Sequence, residues 1–123
     1  MPIHHQQLAN LFRARSICRD FTRRYDRLLR PLKLRTNQVE ILDLLARRCA
    51  LTQGEVAAAV GLEITTLSRT LKPLIKLGLI GESQGSDRRH KILAISPTGL
   101  GVLEEVQRVL AGATELTPFP LFR

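Results

Sequence analysis

At 123 residues the chain has the length of one domain, and with 44% apolar residues but no apolar run near the roughly 20 that a membrane helix requires, it reads as globular rather than membrane-spanning. A formal charge of +8 and a pI near 10.7 point to an anionic partner. The start, MPIHHQQLANLF, lacks the basic stretch and apolar core of a secretory signal, and two cysteines far apart in sequence suit a reducing compartment, so a cytoplasmic location is expected.

The charge is unevenly spread. Residues 1–35 hold nine Lys/Arg against two acids, and residues 62–95 hold six against three. Residues 36–61 and 96–123 each hold two against three, so the positive charge belongs to the first and third stretches.

Taken in chain order, Leu11, Ala14, Cys18, Phe21, Tyr25, Leu28 and Leu32 recur at steps of three and four, which predicts a long helix with an apolar seam. Arg19, Arg23, Arg27 and Arg30 follow helical steps on another face, and Pro31 marks the end. Thr36 is the expected cap of a second helix, with Val39, Ile41, Leu42, Leu44 and Leu45 on its buried side and the LARRCAL segment closing it.

Thr52-Gln-Gly-Glu55 has the pattern of a capping box and opens a short helix over about 53–60, which Gly61 stops. In EITTLSRTLKPLIKLG, Leu67, Leu71, Leu74 and Ile75 share one face, while Thr65, Ser68, Arg69, Lys72 and Lys76 line another. A short helix, a tight turn and a second helix with a basic face make a helix-turn-helix. Gly78 ends it, LIGES and HKILAIS predict a two-stranded hairpin over 79–96 around the loop QGSDRR, and Ser96-Pro97 opens a last helix with Leu100, Leu103, Val106 and Leu110 aligned. The tail AGATELTPFPLFR shows no helical period.

The order of these elements, and the strings LTQGEVAAAVGLEITTLSRTLKPLIKLGLI, DRR followed by KILAIS, and SPTGLGVLEEV, resemble the MarR family of bacterial winged-helix transcription regulators over about residues 13–110. The resemblance implies a mostly α fold with a small β-hairpin. It implies a single winged-helix domain in three parts: an N-terminal dimerisation helix in 1–35, a winged helix-turn-helix core in 36–96, and a C-terminal helix and short tail in 97–123. It also implies a homodimer on a pseudo-palindromic operator in double-stranded DNA, commonly acting as a repressor that a small-molecule effector releases.

Candidate DNA-binding residues follow. Thr65, Thr66, Ser68 and Arg69 lie in the first turns of the recognition helix, where side chains meet base edges; Lys72 and Lys76 suit phosphates. Thr52 and Gln53 sit at a helix N-terminus whose backbone donors would hold a phosphate. In the family's wing an aspartate, one residue and an arginine form the pattern that enters the minor groove, which here falls on Asp87 and Arg89 and leaves Arg88 for phosphate contact.

Pro73 removes a helix hydrogen bond, which either kinks the helix or has no consequence. Cys18 falls in the helix that carries the oxidised cysteine in the family's peroxide sensors, so a thiol-based redox regulator is one alternative to ligand release. A winged-helix protein-interaction module or dimer scaffold without operator binding is another. No metal-ligand spacing, cofactor motif, phosphate loop or catalytic constellation is present in the sequence, and neither an enzyme nor a membrane partner is expected.

Overall fold

The computed structural model describes residues 4–85 and 90–113. Along them run α1 (His5–Leu29), a 3-10 turn (Arg30–Leu32), α2 (Thr36–Arg48), β1 (Ala50–Thr52), α3 (Gln53–Val60), α4 (Ile64–Lys76), β2 (Ile80–Gln84), β3 (Lys91–Ile95) and α5 (Pro97–Ala111). The chain divides into two compact units, Met1–Thr36 and Asn37–Arg123.

In the first unit the expected long helix forms, but it begins at His5, ahead of the seam. It ends at Leu29, and Pro31 sits in the 3-10 turn, where its missing N–H is tolerated. Lys33 then adopts a left-handed conformation (φ 59°), and the Leu34 N–H reaches back to the Leu29 carbonyl at 3.4 Å. This closes the turn as a glycine ordinarily would. Leu29 and Leu34 are buried.

Thr36 differs from its expected role. Rather than accepting a backbone donor as a cap, its N–H and its hydroxyl both donate to Asp26 Oδ1, each at 2.7 Å. A carboxylate from α1 thus satisfies the free end of α2, a long-range bond that local spacing does not reveal.

The second unit packs helices against a three-stranded antiparallel sheet of order β1-β3-β2. The hairpin is as expected, with Ile80 opposite Ile95 and Gln84 opposite Lys91. The third strand is a finding: α2 stops at Arg48, Cys49 turns through a left-handed φ of 67°, and Ala50–Thr52 pairs with Ala94–Ile92. LARRCAL therefore ends in a strand. Leu51, Leu93 and Ile80 bury their side chains beside Ile41, Leu42, Leu45, Val56, Leu67, Leu71, Leu74, Leu103 and Val106, the core of this unit.

The start of α5 is fixed to the α4–β2 corner. The Ser96 N–H donates to the Leu79 carbonyl at 3.0 Å, its hydroxyl donates to the Gly78 carbonyl, and the same oxygen accepts the Gly99 N–H at 3.0 Å. Gly99 is required by this approach, since a side chain there would collide with the Leu79 carbonyl.

Candidate nucleic-acid interface

The helix-turn-helix is assembled by its punctuation. Thr52 Oγ1 accepts the Glu55 N–H at 3.1 Å and Glu55 Oε1 accepts the Thr52 N–H at 3.0 Å, so the capping box is complete in both directions. The bond from the Thr52 N–H chiefly, then the neighbouring Thr52 side chain, with Arg48 nearby, hold the Glu55 carboxyl below its ordinary 4.5.

Gly61 stops α3 with φ 71°, its N–H bonded to the Ala57 carbonyl, and α4 begins three residues later. At the other end Gly78 (φ 74°) donates to Ile75 and Leu79 donates to Leu74 at 2.9 Å, the paired bonds of a Schellman closure.

Between those stops α4 sorts its residues sharply. Leu67, Leu71 and Leu74 are wholly buried, which turns the opposite side of the helix outward. Thr65, Arg69, Lys72 and Lys76 occupy that outward side, and all four are exposed. Thr66 is exposed and Ser68 half-buried at its margins. Among the described residues, Arg69, Lys72 and Lys76 have no ion pair, whereas Asp43–Arg47, Glu82–Lys91 and Glu105–Arg108 pair elsewhere in this unit. Three cations held on one helix face without acids beside them present an uncompensated charge to any anion.

Pro73 lies within α4, which continues through it to Lys76. The Arg69 carbonyl that its missing N–H would have met belongs to an exposed residue, as Pro73 itself is. The buried leucines on either side hold the turn together.

The other expected site residues are placed as follows. Thr52 and Gln53 are half-buried at the start of α3, but the Thr52 N–H is already bonded to Glu55, so it is not free to hold a phosphate. Asp87, Arg88 and Arg89 lie outside the described residues. Cys18 is exposed on α1 and Cys49 is exposed at the α2–β1 corner. Among the described residues no group of three His, Cys, Asp or Glu side chains is arranged to hold a metal ion, and no helix is long and apolar enough to cross a membrane.

Sequence reasoning passes over two residues at the tip of α4. Ile64, the first helical residue, continues the spacing of the leucine stripe, three residues before Leu67 and seven before Leu71, yet is 49% exposed. Glu63 occupies the N-cap position, exposed, without a side-chain capping bond. Only Glu63 leaves a signal in the sequence, an acid in a basic stretch; Ile64 continues the leucine spacing and reads as core.

On the first unit, α1 carries a second basic surface. A shallow cleft of about 390 Å³ is lined by Arg23, Asp26, Arg27 and Arg30, and Asp26 is already engaged by Thr36.

Fold and exposed face together define a winged helix-turn-helix domain, and comparison with known proteins agrees. Residues 34–80 match the family model described as winged helix-turn-helix DNA-binding. The M. tuberculosis transcriptional regulator MOSR, solved in complex with DNA, is 30% identical, with a TM-score of 0.74 over 83% of this chain and 74% of that one. A mutant MarR from E. coli, solved with operator DNA, shares the fold at 17% identity, with a TM-score of 0.78 over 89% of this chain and 79% of that one. An uncharacterized HTH-type transcriptional regulator of Bacillus subtilis, YwoH, is 30% identical over 78 residues, 63% of this chain; the match spans 57% of that regulator's length. The chain belongs to the MarR family of winged helix-turn-helix transcriptional regulators.

Proposed function

We propose that the protein is a dimeric, sequence-specific regulator that binds a pseudo-palindromic operator in double-stranded DNA, represses by occluding a promoter, and is released by a small-molecule effector. The observation that carries this reading is the outer face of α4, where Arg69, Lys72 and Lys76 are exposed without an ion pair among the described residues. Thr65, Thr66, Ser68 and Arg69 lie at its start, within reach of base edges in a major groove, and Lys72 and Lys76 follow towards the phosphates. Gln53 supplies a backbone donor at the start of α3. Arg89 enters the flanking minor groove, Asp87 steadies the wing tip, and Arg88 contacts phosphate. Support for DNA as the partner comes from the M. tuberculosis relative, which was solved on DNA.

Support for a dimer comes from α1. Leu8, Leu11 and Phe12 sit together at helical spacing and are 41%, 52% and 59% exposed, a patch a partner chain would cover. Leu100 on α5 is also exposed, a further apolar position open to a partner. Release by an effector rests on the family resemblance.

The test is selection of bound sequences from random duplex DNA, followed by affinity measurements across salt concentrations. Recovery of an inverted repeat, with affinity falling steeply as salt rises, is the expected result. Weak binding to every duplex, with no enriched sequence, would instead favour a protein-interaction module or dimer scaffold.

A further inference from the structure

The first turn of α4 is unlike the rest of its outer face. Ile64, Thr65 and Thr66 are three consecutive exposed residues, each bearing a methyl group on a branched β-carbon, and the first cation of the helix comes only at Arg69. Ile64 is not needed by the core, which is met by Leu67, Leu71 and Leu74. At about 100° of rotation per residue Ile64 stands at the open N-terminal end of the leucine stripe, one turn before Ser68 and between that stripe and the basic face.

Glu63 adds a second, independent observation. A helix N-terminus ordinarily attracts phosphate through its free N–H groups and its dipole. Here a carboxylate that makes no capping bond occupies the N-cap, and its charge repels phosphate from that end. An end that disfavours backbone phosphate and carries methyl groups is suited to the floor of the major groove. There the one apolar group any base pair displays is the C5-methyl of thymine.

We propose that Ile64 is a specificity-determining residue that packs against the C5-methyl group of a thymine in each operator half-site, with Thr65 and Thr66 beside it. The proposal rests on the reading of the protein as an operator-binding regulator. It adds the base class that the tip of α4 selects.

Replacing thymine by deoxyuridine removes that methyl group and leaves every hydrogen-bonding group of the base pair in place. In the selected operator, each thymine is replaced in turn and the affinity of the wild-type protein is measured beside that of Ile64→Ala. One thymine per half-site should be found at which uracil weakens wild-type binding about fourfold, the effect of one buried methyl group. At that position Ile64→Ala should bind thymine and uracil duplexes equally. Because Ile64 is outside the core, the variant should keep the wild-type thermal transition, and Ile64→Val should retain an intermediate preference.

If uracil weakens the wild type at no position, or if Ile64→Ala keeps the full thymine preference, the proposal is overturned while operator binding stands. If the wild type enriches no sequence at all, the operator reading fails and the proposal with it.

Discussion

Helices α1 and α4 both carry an apolar stripe on one side and arginine or lysine on another, yet they end differently. In α4 the stripe closes, with Leu67, Leu71 and Leu74 wholly buried within their own unit. In α1, twenty-five residues long, only Leu29 is buried, and Leu8, Leu11 and Phe12 remain open to solvent. The same pattern of residues therefore has two outcomes, one stripe closed within its own unit and one left exposed. The spacing of the seam hints at the difference: steps averaging about 3.5 suit a helix that lies lengthwise along another.

The contrast is broken most strongly by attacking the closed stripe. Leu71→Ala should destabilise the fold by about 2–5 kcal/mol, the usual effect of a large-to-small change in a packed core. Thermal or urea unfolding measures it. A loss below about 1 kcal/mol would mean that the α4 stripe is less tightly packed than its burial indicates.

The open stripe should respond in another observable. Leu11→Asp should leave the folded secondary structure intact and weaken self-association by about 1.5–3 kcal/mol, the value of one buried leucine. Sedimentation across a concentration series reads the monomer–dimer balance directly. Unchanged association, with lowered stability instead, would place Leu11 in contacts within its own chain.

On the outer side of α4 the effect moves from folding to binding. Arg69→Ala should cost about 1–3 kcal/mol per half-site on the selected operator and much less on random duplex. Lys76→Ala should weaken both evenly and flatten the salt dependence. Equal losses for Arg69→Ala on both duplexes would move Arg69 to the phosphate-contacting group.

What is legible in the sequence follows from the same contrast between local and distant causes. The α3 box at Thr52 and Glu55, the stops at Gly61 and Gly78, and the Ser96-Pro97 start are local chemistry, and each stands where the spacing puts it. Strand β1 is not legible, because Ala50–Thr52 is too short to show alternation and exists through its pairing with β3. Thr36 misleads for a related reason: a threonine before an apolar run reads as a cap, but Asp26, ten residues earlier, is the acceptor. In the candidate site, the cationic face of α4 can be read from periodicity. Ile64 cannot, since an apolar residue in line with a leucine stripe reads as core until its exposure is seen.

The smallest expected effect concerns helix ends, where the two units also differ. The N-terminus of α1 has no side-chain cap and no acid in its first turn, whereas α3 has both in Thr52 and Glu55. The Glu55 carboxyl is held below its ordinary 4.5, chiefly by the Thr52 N–H and then by the Thr52 side chain. A depressed carboxyl stabilises the fold fully above its unfolded value and loses that contribution as pH falls through the lowered folded value. Glu55→Gln keeps an acceptor for the Thr52 N–H but removes the charge that favours a helix N-terminus. The variant should therefore melt slightly below the wild type at about pH 7, and the two should converge as pH falls below 4.5 and on through the lowered folded value, where the wild-type side chain also becomes neutral. Melting curves from about pH 7 down to about pH 3 measure the gap. A gap that stays constant across that range would assign the role of Glu55 to hydrogen-bond geometry alone, with no contribution from its charge.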